Sequence, residues 1–177
     1  VPGQPGAQDP EDPASSNTQE KLFSAQQVMD SFEAQPGDVT LRLNGQTKVS
    51  QTAFALLMER DEGVLRLEGD GYAWSFDRAD LTDTEVPGGV FDAAVSLQVD
   101  EAVLERIRAF TGAAPVAALD TAFSGKLPGK AVLELTVDAA LFGNTRCGLF
   151  YLPVEGDPER VATVEVGANG LVKLPLE

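Results

Sequence analysis

Short segments of alternating apolar and polar residues, separated by turn-forming residues, restrict the fold of this chain more than any other feature. The second half of the chain predicts strands at about residues 116–124, 131–137, 147–154, 160–166 and 171–176. The segments between them, "SGKLPGK", "AALFGNTR", "EGDPER" and "GANG", are rich in residues that favour turns. This half of the chain is therefore expected to be mostly sheet.

The first half of the chain adds helices to the strands. Ser24 and Gln27 have the spacing of a capping box, in front of an apolar stripe at helical spacing. A short helix is expected over about residues 51–60, and Asp100 is expected to cap a third helix. We expect these helices to be insertions among strands.

Four further strands are predicted in the same half. "DVTLRLNGQ" alternates and then meets an Asn-Gly turn, and "GVLRLEGDGYAWSF" is typical of two strands joined by a tight turn. "FDAAVSLQVD" predicts a strand with Val95, Leu97 and Val99 on one face. Eight or nine strands with two or three short helices predict a mainly β (α+β) fold, either an antiparallel β-sandwich or a partly open barrel.

The N-terminal segment differs in composition from the rest. Residues 1–20 hold four prolines, and between Val1 and Leu22 there is no large apolar residue. Such a segment cannot bury enough surface to offset its ordering entropy, which predicts a linker over 1–20 and a single β-rich domain over 21–177. A spacer of this kind suits a domain tethered outside a cell, and a tail without a tethering role fits the composition equally.

Charge and composition exclude several classes of function. The net charge is −15, so a nucleic-acid partner is not expected, because phosphates would be repelled. The chain has no histidine and one cysteine, which argues against histidine-dependent catalysis and structural zinc. No apolar run is long enough to span a membrane. We expect a monomer whose partner is an extracellular protein or carbohydrate.

The aromatic row Tyr72, Trp74 and Phe76 is the first candidate site. The three side chains alternate along one predicted strand and so share one face of the sheet. An exposed row of this kind would stack on sugar rings. Ala73 and Ser75 on the opposite face are small, so the strand would give the core almost nothing if the aromatic row faced outward. The row is interpreted as the inner face of the sheet, with ligand binding as the alternative.

Three aspartates, Asp77, Asp80 and Asp83, follow the aromatic row and form a candidate calcium site. Carboxylates in a loop after a strand supply the oxygen ligands that calcium prefers. Their spacing does not match an EF-hand loop, and a solvated acidic turn is the alternative. No other cofactor is expected.

Catalytic arrangements are weakly indicated. A carboxylate-pair glycoside hydrolase needs two acids across a cleft, and Glu134 is better interpreted as the solvent face of a strand. A Ser-Lys hydrolase would use Ser124 with Lys126 or Lys130. Cys147 is expected to pack within a central strand whose two faces are apolar.

Several segments together resemble a known domain. The opening "FSAQQVMDSF" and "DVTLRLNG", the hairpin "VLRLEGDGYAWSFDRADL", the loop "SGKLPGKAVLELTV" and the closing "GLFYLPVEGDPERVATVEVGANGLVKLPL" carry the resemblance. Over about residues 22–177 the chain resembles an uncharacterised β-rich domain of secreted and cell-wall-attached proteins of anaerobic Gram-positive bacteria. In that family these motifs are packing and turn features without a settled activity.

Residues and resemblance together predict a function class. We expect an exported, non-enzymatic module of a Gram-positive surface protein or lipoprotein, serving in adhesion, ligand binding or spacing and tethered through its N-terminal linker. The alternatives are the two hydrolases above and a calcium-dependent binding module.

Overall fold

A computed structural model describes residues 22–112 and 116–177, which contain twelve strands and four α-helices. The strands are β1 Leu22–Phe23, β2 Val39–Arg42, β3 Lys48–Ser50, β4 Val64–Glu68, β5 Tyr72–Leu81, β6 Val90–Asp92, β7 Val95–Ser96, β8 Asp120–Thr121, β9 Gly129–Thr136, β10 Arg146–Tyr151, β11 Glu159–Glu165 and β12 Leu171–Leu176. The helices are α1 Ala25–Ala34, α2 Thr52–Met58, α3 Glu101–Thr111 and α4 Ala139–Phe142, with a 3-10 turn at Pro87–Gly89. The predicted linker, residues 1–20, lies outside the described residues.

A five-stranded sheet in the order β12-β9-β5-β4-β2 is the centre of the fold. Strand β5 lies in its middle, and Trp74 on β5 is level with Leu67 on β4 and Leu133 on β9. All neighbours in this sheet are antiparallel except β2 and β4, which are parallel. Three smaller sheets, β1-β3-β6, β7-β8 and β10-β11, complete the strands of the described residues.

One apolar cluster forms the core between the sheets and the first two helices. Helix α1 contributes Val28 and Phe32, and α2 contributes Phe54 and Leu57. Among the described residues no polar or charged residue is fully buried. The core therefore needs no internal ion pairs or polar networks, and apolar burial and close packing stabilise it.

The fold class agrees with the sequence prediction: the protein is mainly β, with a sandwich-like arrangement and no closed barrel in its described part. The capping box is also present, since Gln27 N–H donates to Ser24 Oγ at 3.3 Å and Ser24 N–H donates to Gln27 Oε1 at 3.0 Å. There are four α-helices rather than two or three. The extra one, α4, lies in the segment "AALFGNTR", where a turn was expected, and Asp138 caps it by accepting from Ala140 N–H at 2.9 Å.

The predicted strand over "FDAAVSLQVD" is wrong in its second half. The structure has β6, then β7 ending at Ser96, and Leu97 is 46% exposed. Strand β7 pairs only with the two residues of β8, so no neighbour continues the ladder past Ser96. Alternation of side chains was present there, but a strand also needs a partner for its backbone.

Gly45 and Gly170 provide a matched pair of substitutions. Both have positive φ, 87° and 84°, so alanine at either position adopts a conformation that costs about 1–2 kcal/mol. A Cβ on Gly45 would meet nothing within 4 Å, whereas a Cβ on Gly170 would lie 2.1 Å from the Val137 carbonyl oxygen. We expect Gly170→Ala to cost about 1–3 kcal/mol more than Gly45→Ala, measured by urea unfolding. Equal losses of unfolding free energy for the two variants would show that the backbone around Gly170 shifts at no cost to make room for the new Cβ.

Candidate functional site

The aromatic row lies on the inner face of the central sheet. Trp74 is 1% exposed and Phe76 is fully buried. The Trp74 Nε1–H donates to the Ala93 carbonyl at 2.9 Å, and the Phe91 ring packs perpendicular to both Trp74 and Phe76, with ring centroids 5.3 and 5.5 Å away. A sugar can stack only on an accessible ring face, and neither residue offers one. Trp74 and Phe76 are core residues rather than a carbohydrate platform.

Tyr72 is the partly exposed end of the same row. Burial, with smaller contributions from the carboxylates of Asp92 and Asp70, raises the pKa of its hydroxyl above the ordinary value. The hydroxyl therefore stays protonated at neutral pH and remains a hydrogen-bond donor. One half-buried ring at the edge of a core does not form a platform.

The three candidate calcium ligands are exposed, but Asp77 and Asp80 lie within strand β5 rather than in a loop after it, and only Asp83 follows the strand. Asp77 Oδ1 accepts from the Ala79 N–H at 2.8 Å. Asp83 Oδ1 accepts from the N–H groups of Thr84 and Glu85 at 2.8 and 3.0 Å. The bonds from Glu85 and Thr84, in that order of size, lower the pKa of Asp83. No group of three or more His, Cys, Asp or Glu side chains in the described ranges is placed to hold a metal ion. Calcium binding stays a prediction that a calcium titration tests.

Glu134 lies on the outer face of the central sheet and takes part in a cross-strand ion-pair network. Its carboxylate accepts from Arg66 Nη2 at 3.1 Å and lies 3.8 Å from Lys173 Nζ. Arg66 and Glu134 approach each other across β5, above its small residues Ala73 and Ser75. This explains why Ala73 is buried on the outer face. Glu134 therefore forms cross-strand ion pairs on the outer face of the sheet, where its alternation with Leu133 and Leu135 predicts it to lie.

No hydrogen bond of the described residues joins the serine and the lysines of the Ser-Lys alternative. Ser124, Lys126 and Lys130 are all exposed, and within residues 116–177 Ser124 makes no hydrogen bond to either lysine. Lys130 instead lies 3.5 Å from a carboxylate oxygen of Glu177. A serine nucleophile needs a base within hydrogen-bond reach, and the described geometry does not supply one.

Cys147 does not lie in a central strand, which corrects the sequence interpretation. Among the described strands, its own strand β10 pairs only with β11 and is therefore an edge strand. The cysteine faces the core, is partly exposed, and lies with its Sγ 3.4 Å from Thr145 Oγ1. Apolar residues on both faces of "GLFYLPV" predict a strand covered on both sides, but the end of that segment is exposed to solvent: Val154 is 98% exposed.

Exposed apolar side chains concentrate on one part of the surface, which sequence reasoning missed. We call it the hairpin lobe: helix α3, strands β10 and β11, and the loop between those strands. Four of the eight large apolar residues that the described chain exposes lie there, namely Phe110, Tyr151, Val154 and Val161. No residue of α3 is fully buried, although the helix is amphipathic. An amphipathic helix normally buries its apolar stripe, so this one is only partly covered.

Specific contacts attach α3 to the hairpin. The rings of Phe110 and Phe150 meet edge to face with centroids 6.3 Å apart. Arg106 donates from Nη1 to the Pro153 carbonyl at 2.9 Å and from Nη2 to the Gly156 carbonyl. The extra residue of a bulge in β11 is Val161, which has no partner on β10 and is 52% exposed.

Three carboxylates lie beside these apolar groups. Glu155, Asp157 and Glu159 are exposed and take part in none of the ion pairs of the described residues. The neighbouring arginines have other partners: Arg106 is bound to the loop carbonyls, and Arg160 donates to Thr163 Oγ1 at 2.8 Å. The lobe therefore combines exposed apolar surface with three carboxylates whose charge exceeds that of the two neighbouring arginines.

Two open grooves lie on the part of the surface that the structure describes. The larger groove, about 490 Å³, lies between β11 and β12 and is lined by residues that include Glu165, Lys173 and Pro175. The second, about 310 Å³, lies beside Leu22, Lys48 and Pro87. Neither groove gathers the aromatic row or the three aspartates.

Comparison with known protein families, curated proteins and solved structures gives no match for this chain. Within the described residues, no helix has the length and apolar character needed to span a membrane.

Proposed function

We propose that this chain is a non-enzymatic protein-binding module of an exported protein, and that the hairpin lobe is its contact surface. The observation that carries the proposal is the concentration of Phe110, Tyr151, Val154 and Val161 on one lobe. Single exposed apolar residues are ordinary on a protein surface, whereas a group of them beside a half-covered helix is typical of an interaction site.

The composition of the lobe favours a protein partner over a small molecule. Tyrosine and phenylalanine supply large contact areas at low entropic cost and are frequent at the energetic centres of interfaces. A small ligand would need a deep, enclosed site, whereas the groove that borders β11 is open. The hydrolase alternatives gain no support from Glu134, which is ion-paired, or from Ser124, which makes no described hydrogen bond to Lys126 or Lys130.

Export to the surface of a Gram-positive bacterium is the second part of the proposal. The resemblance of residues 22–177 to a domain of secreted and cell-wall-attached proteins supports it, as does the proline-rich composition of residues 1–20. Protease treatment of intact native cells tests it. Loss of the domain while a cytosolic marker survives is expected, and protection of the domain until lysis would contradict export.

The binding experiment compares two double variants. Immobilised wild-type protein is used to select partners from extracellular proteins, and retention is measured again with Tyr151→Thr/Val161→Thr and with Val132→Thr/Leu141→Gln. The second pair also removes two exposed apolar residues, outside the hairpin lobe. We expect the lobe variant to lose affinity by about tenfold or more and the control by less than about twofold. Equal behaviour of the two variants would overturn the proposal.

A further inference from the structure

The edges of the sheets are protected unequally. Strand β2 ends one side of the central sheet, and the Gln35 side chain covers its free edge. Gln35 Nε2 donates to the Thr40 carbonyl at 3.2 Å, and Gln35 Oε1 accepts from the Thr40 N–H at 3.0 Å. The side-chain amide thus takes the place of a neighbouring strand at this residue.

Strand β12 ends the other side of the central sheet and is protected by a proline. The Val137 N–H donates to the Gly170 carbonyl, so the backbone groups of every second residue after Gly170 point toward β9. The backbone groups of the residues between them, which include Lys173 and Pro175, point to the outer side of β12. On that outer side one bridge, between Val166 and Val172, joins β12 to β11. Pro175 then offers no N–H, so the pairing cannot continue and the strands diverge into the 490 Å³ groove.

Strand β10 has no comparable protection on its outer edge. The Val166 N–H donates to the Thr145 carbonyl at 2.9 Å, and backbone hydrogen bonds to β11 then recur at every second residue. The backbone N–H and C=O groups of Cys147 and Leu149 therefore point toward β11, and those of Arg146 and Gly148 point to the outer side. No strand in the described ranges pairs with that outward side. β10 contains no proline, and the bulge next to it lies in β11. Its outward N–H and C=O groups can receive another strand.

We infer that the outer edge of β10 takes an extended, basic segment of a partner protein as a third strand of the β10-β11 sheet. This inference rests on the proposed function and adds the mode of binding and the chemistry of the partner. Backbone hydrogen bonds would hold the segment, and its apolar side chains would contact the exposed apolar surface of the hairpin lobe.

The distribution of charge determines where the basic residues of the partner lie. At the start of β10, Arg146 is paired with Glu165 at 2.9 Å, so that end is locally neutral. At the far end, Glu155, Asp157 and Glu159 outnumber the nearby cations Arg106 and Arg160, so that end carries an excess of negative charge. Lysine or arginine in the partner segment therefore lies near the hairpin loop. A second copy of this chain would bring the same carboxylates and a net charge of −15, which disfavours self-pairing.

Nuclear magnetic resonance with the ¹⁵N-labelled full chain tests the inference. The probe is the peptide KVTVKVK, and the control is EVTVEVE, which keeps the strand pattern and reverses the charge. We expect the lysine peptide to shift the backbone amide signals of Arg146 and Gly148, with affinity about tenfold above that of the glutamate peptide and falling with added salt. No shift at these amides at millimolar peptide, or equal binding of the two peptides, would overturn the inference.

Two variants of Gly148 test whether peptide binding depends on the outer edge of β10 or on the rest of the hairpin lobe. Gly148→Pro removes one outward N–H and leaves the bonds to β11. Gly148→Ala keeps the N–H but displaces the Phe150 ring, because the new Cβ would lie 2.8 Å from its Cε2. We expect about a tenfold loss of peptide binding for proline and little loss for alanine. If the proline variant fails to fold, Glu155→Lys/Asp157→Lys is expected to weaken binding similarly, and unchanged binding would contradict the inference.

The same variants distinguish failure of this inference from failure of the proposed function. If Gly148→Pro still binds the natural partner while Tyr151→Thr/Val161→Thr does not, the lobe binds proteins without adding a strand. If neither change affects that partner, both proposals fail. Concentration-dependent dimers in sedimentation that Gly148→Pro abolishes would assign the edge to a second copy of the chain and overturn the inference.

Discussion

Replacement of Trp74 by alanine is expected to lower the free energy of unfolding by about 3–5 kcal/mol. The side chain is 1% exposed and packs against Phe76 and Phe91, with ring centroids 6.3 and 5.3 Å away. Truncation removes this apolar burial and leaves a cavity in the middle of the central sheet. Urea unfolding followed by circular dichroism measures the loss.

A milder substitution at the same position separates packing from hydrogen bonding. Trp74→Phe keeps an aromatic ring but leaves the Ala93 carbonyl without the indole N–H that donates to it at 2.9 Å. An unsatisfied buried acceptor costs about 1–3 kcal/mol, so this variant is expected to lie between the wild type and Trp74→Ala. A loss below about 1 kcal/mol for Trp74→Ala would mean that the aromatic row is not a central part of the core.

The second large effect is expected at Arg60, which holds the C-terminal end of α1. Its Nη2 donates to the carbonyls of Phe32 and Gln35 at 2.8 and 2.7 Å, and its Nη1 donates to the Gly37 carbonyl. The guanidinium carbon also lies 4.8 Å from the centre of the Phe32 ring. Carbonyls at the end of a helix lack partners within it, and a cation there is favoured by the helix dipole.

Arg60→Ala is therefore expected to destabilise the fold by about 2–3 kcal/mol, measured by urea unfolding. Arg60→Lys retains the charge but not the planar fork of donors, and should recover no more than about half of the loss. Arg42→Ala is the matched control: Arg42 is exposed and takes part in no ion pair of the described residues, so its loss should stay within about 0.5 kcal/mol. If the Arg60 and Arg42 variants lose the same stability, the capping role is wrong.

Sequence patterns predicted the structure correctly where that structure depends on residues close together in the chain. The capping box of α1 depends on two residues three positions apart, and the structure has it with both bonds present. The hairpin of β4 and β5 follows from two alternating segments around a glycine-rich turn. The inward direction of Trp74 and Phe76 also follows from alternation, because a strand with small residues on its other face must bury the large ones.

Errors arose where the neighbours of a segment decide its structure. Val95, Leu97 and Val99 alternate like a strand, yet the pairing of β7 stops at Ser96. The segment after Cys147 is apolar on both faces, yet it forms an edge strand with an exposed end. The candidate sites show the same limit: Glu134 was placed correctly on the outer face, but its two cationic partners come from β4 and β12, which are distant in sequence.

Residue patterns alone predict the fold class, the capped first helix, the inner face of β5 and the strongly acidic character of the protein. The sheet edges, and their protection by Gln35 and Pro175, follow only from the folded arrangement of the strands. The same holds for the hairpin lobe, where β10 lies with half of the large apolar side chains that the described residues expose. The physical reason is that side-chain periodicity records which face of a segment avoids water. Backbone pairing depends instead on contacts between residues far apart in the chain, which no short stretch of sequence encodes.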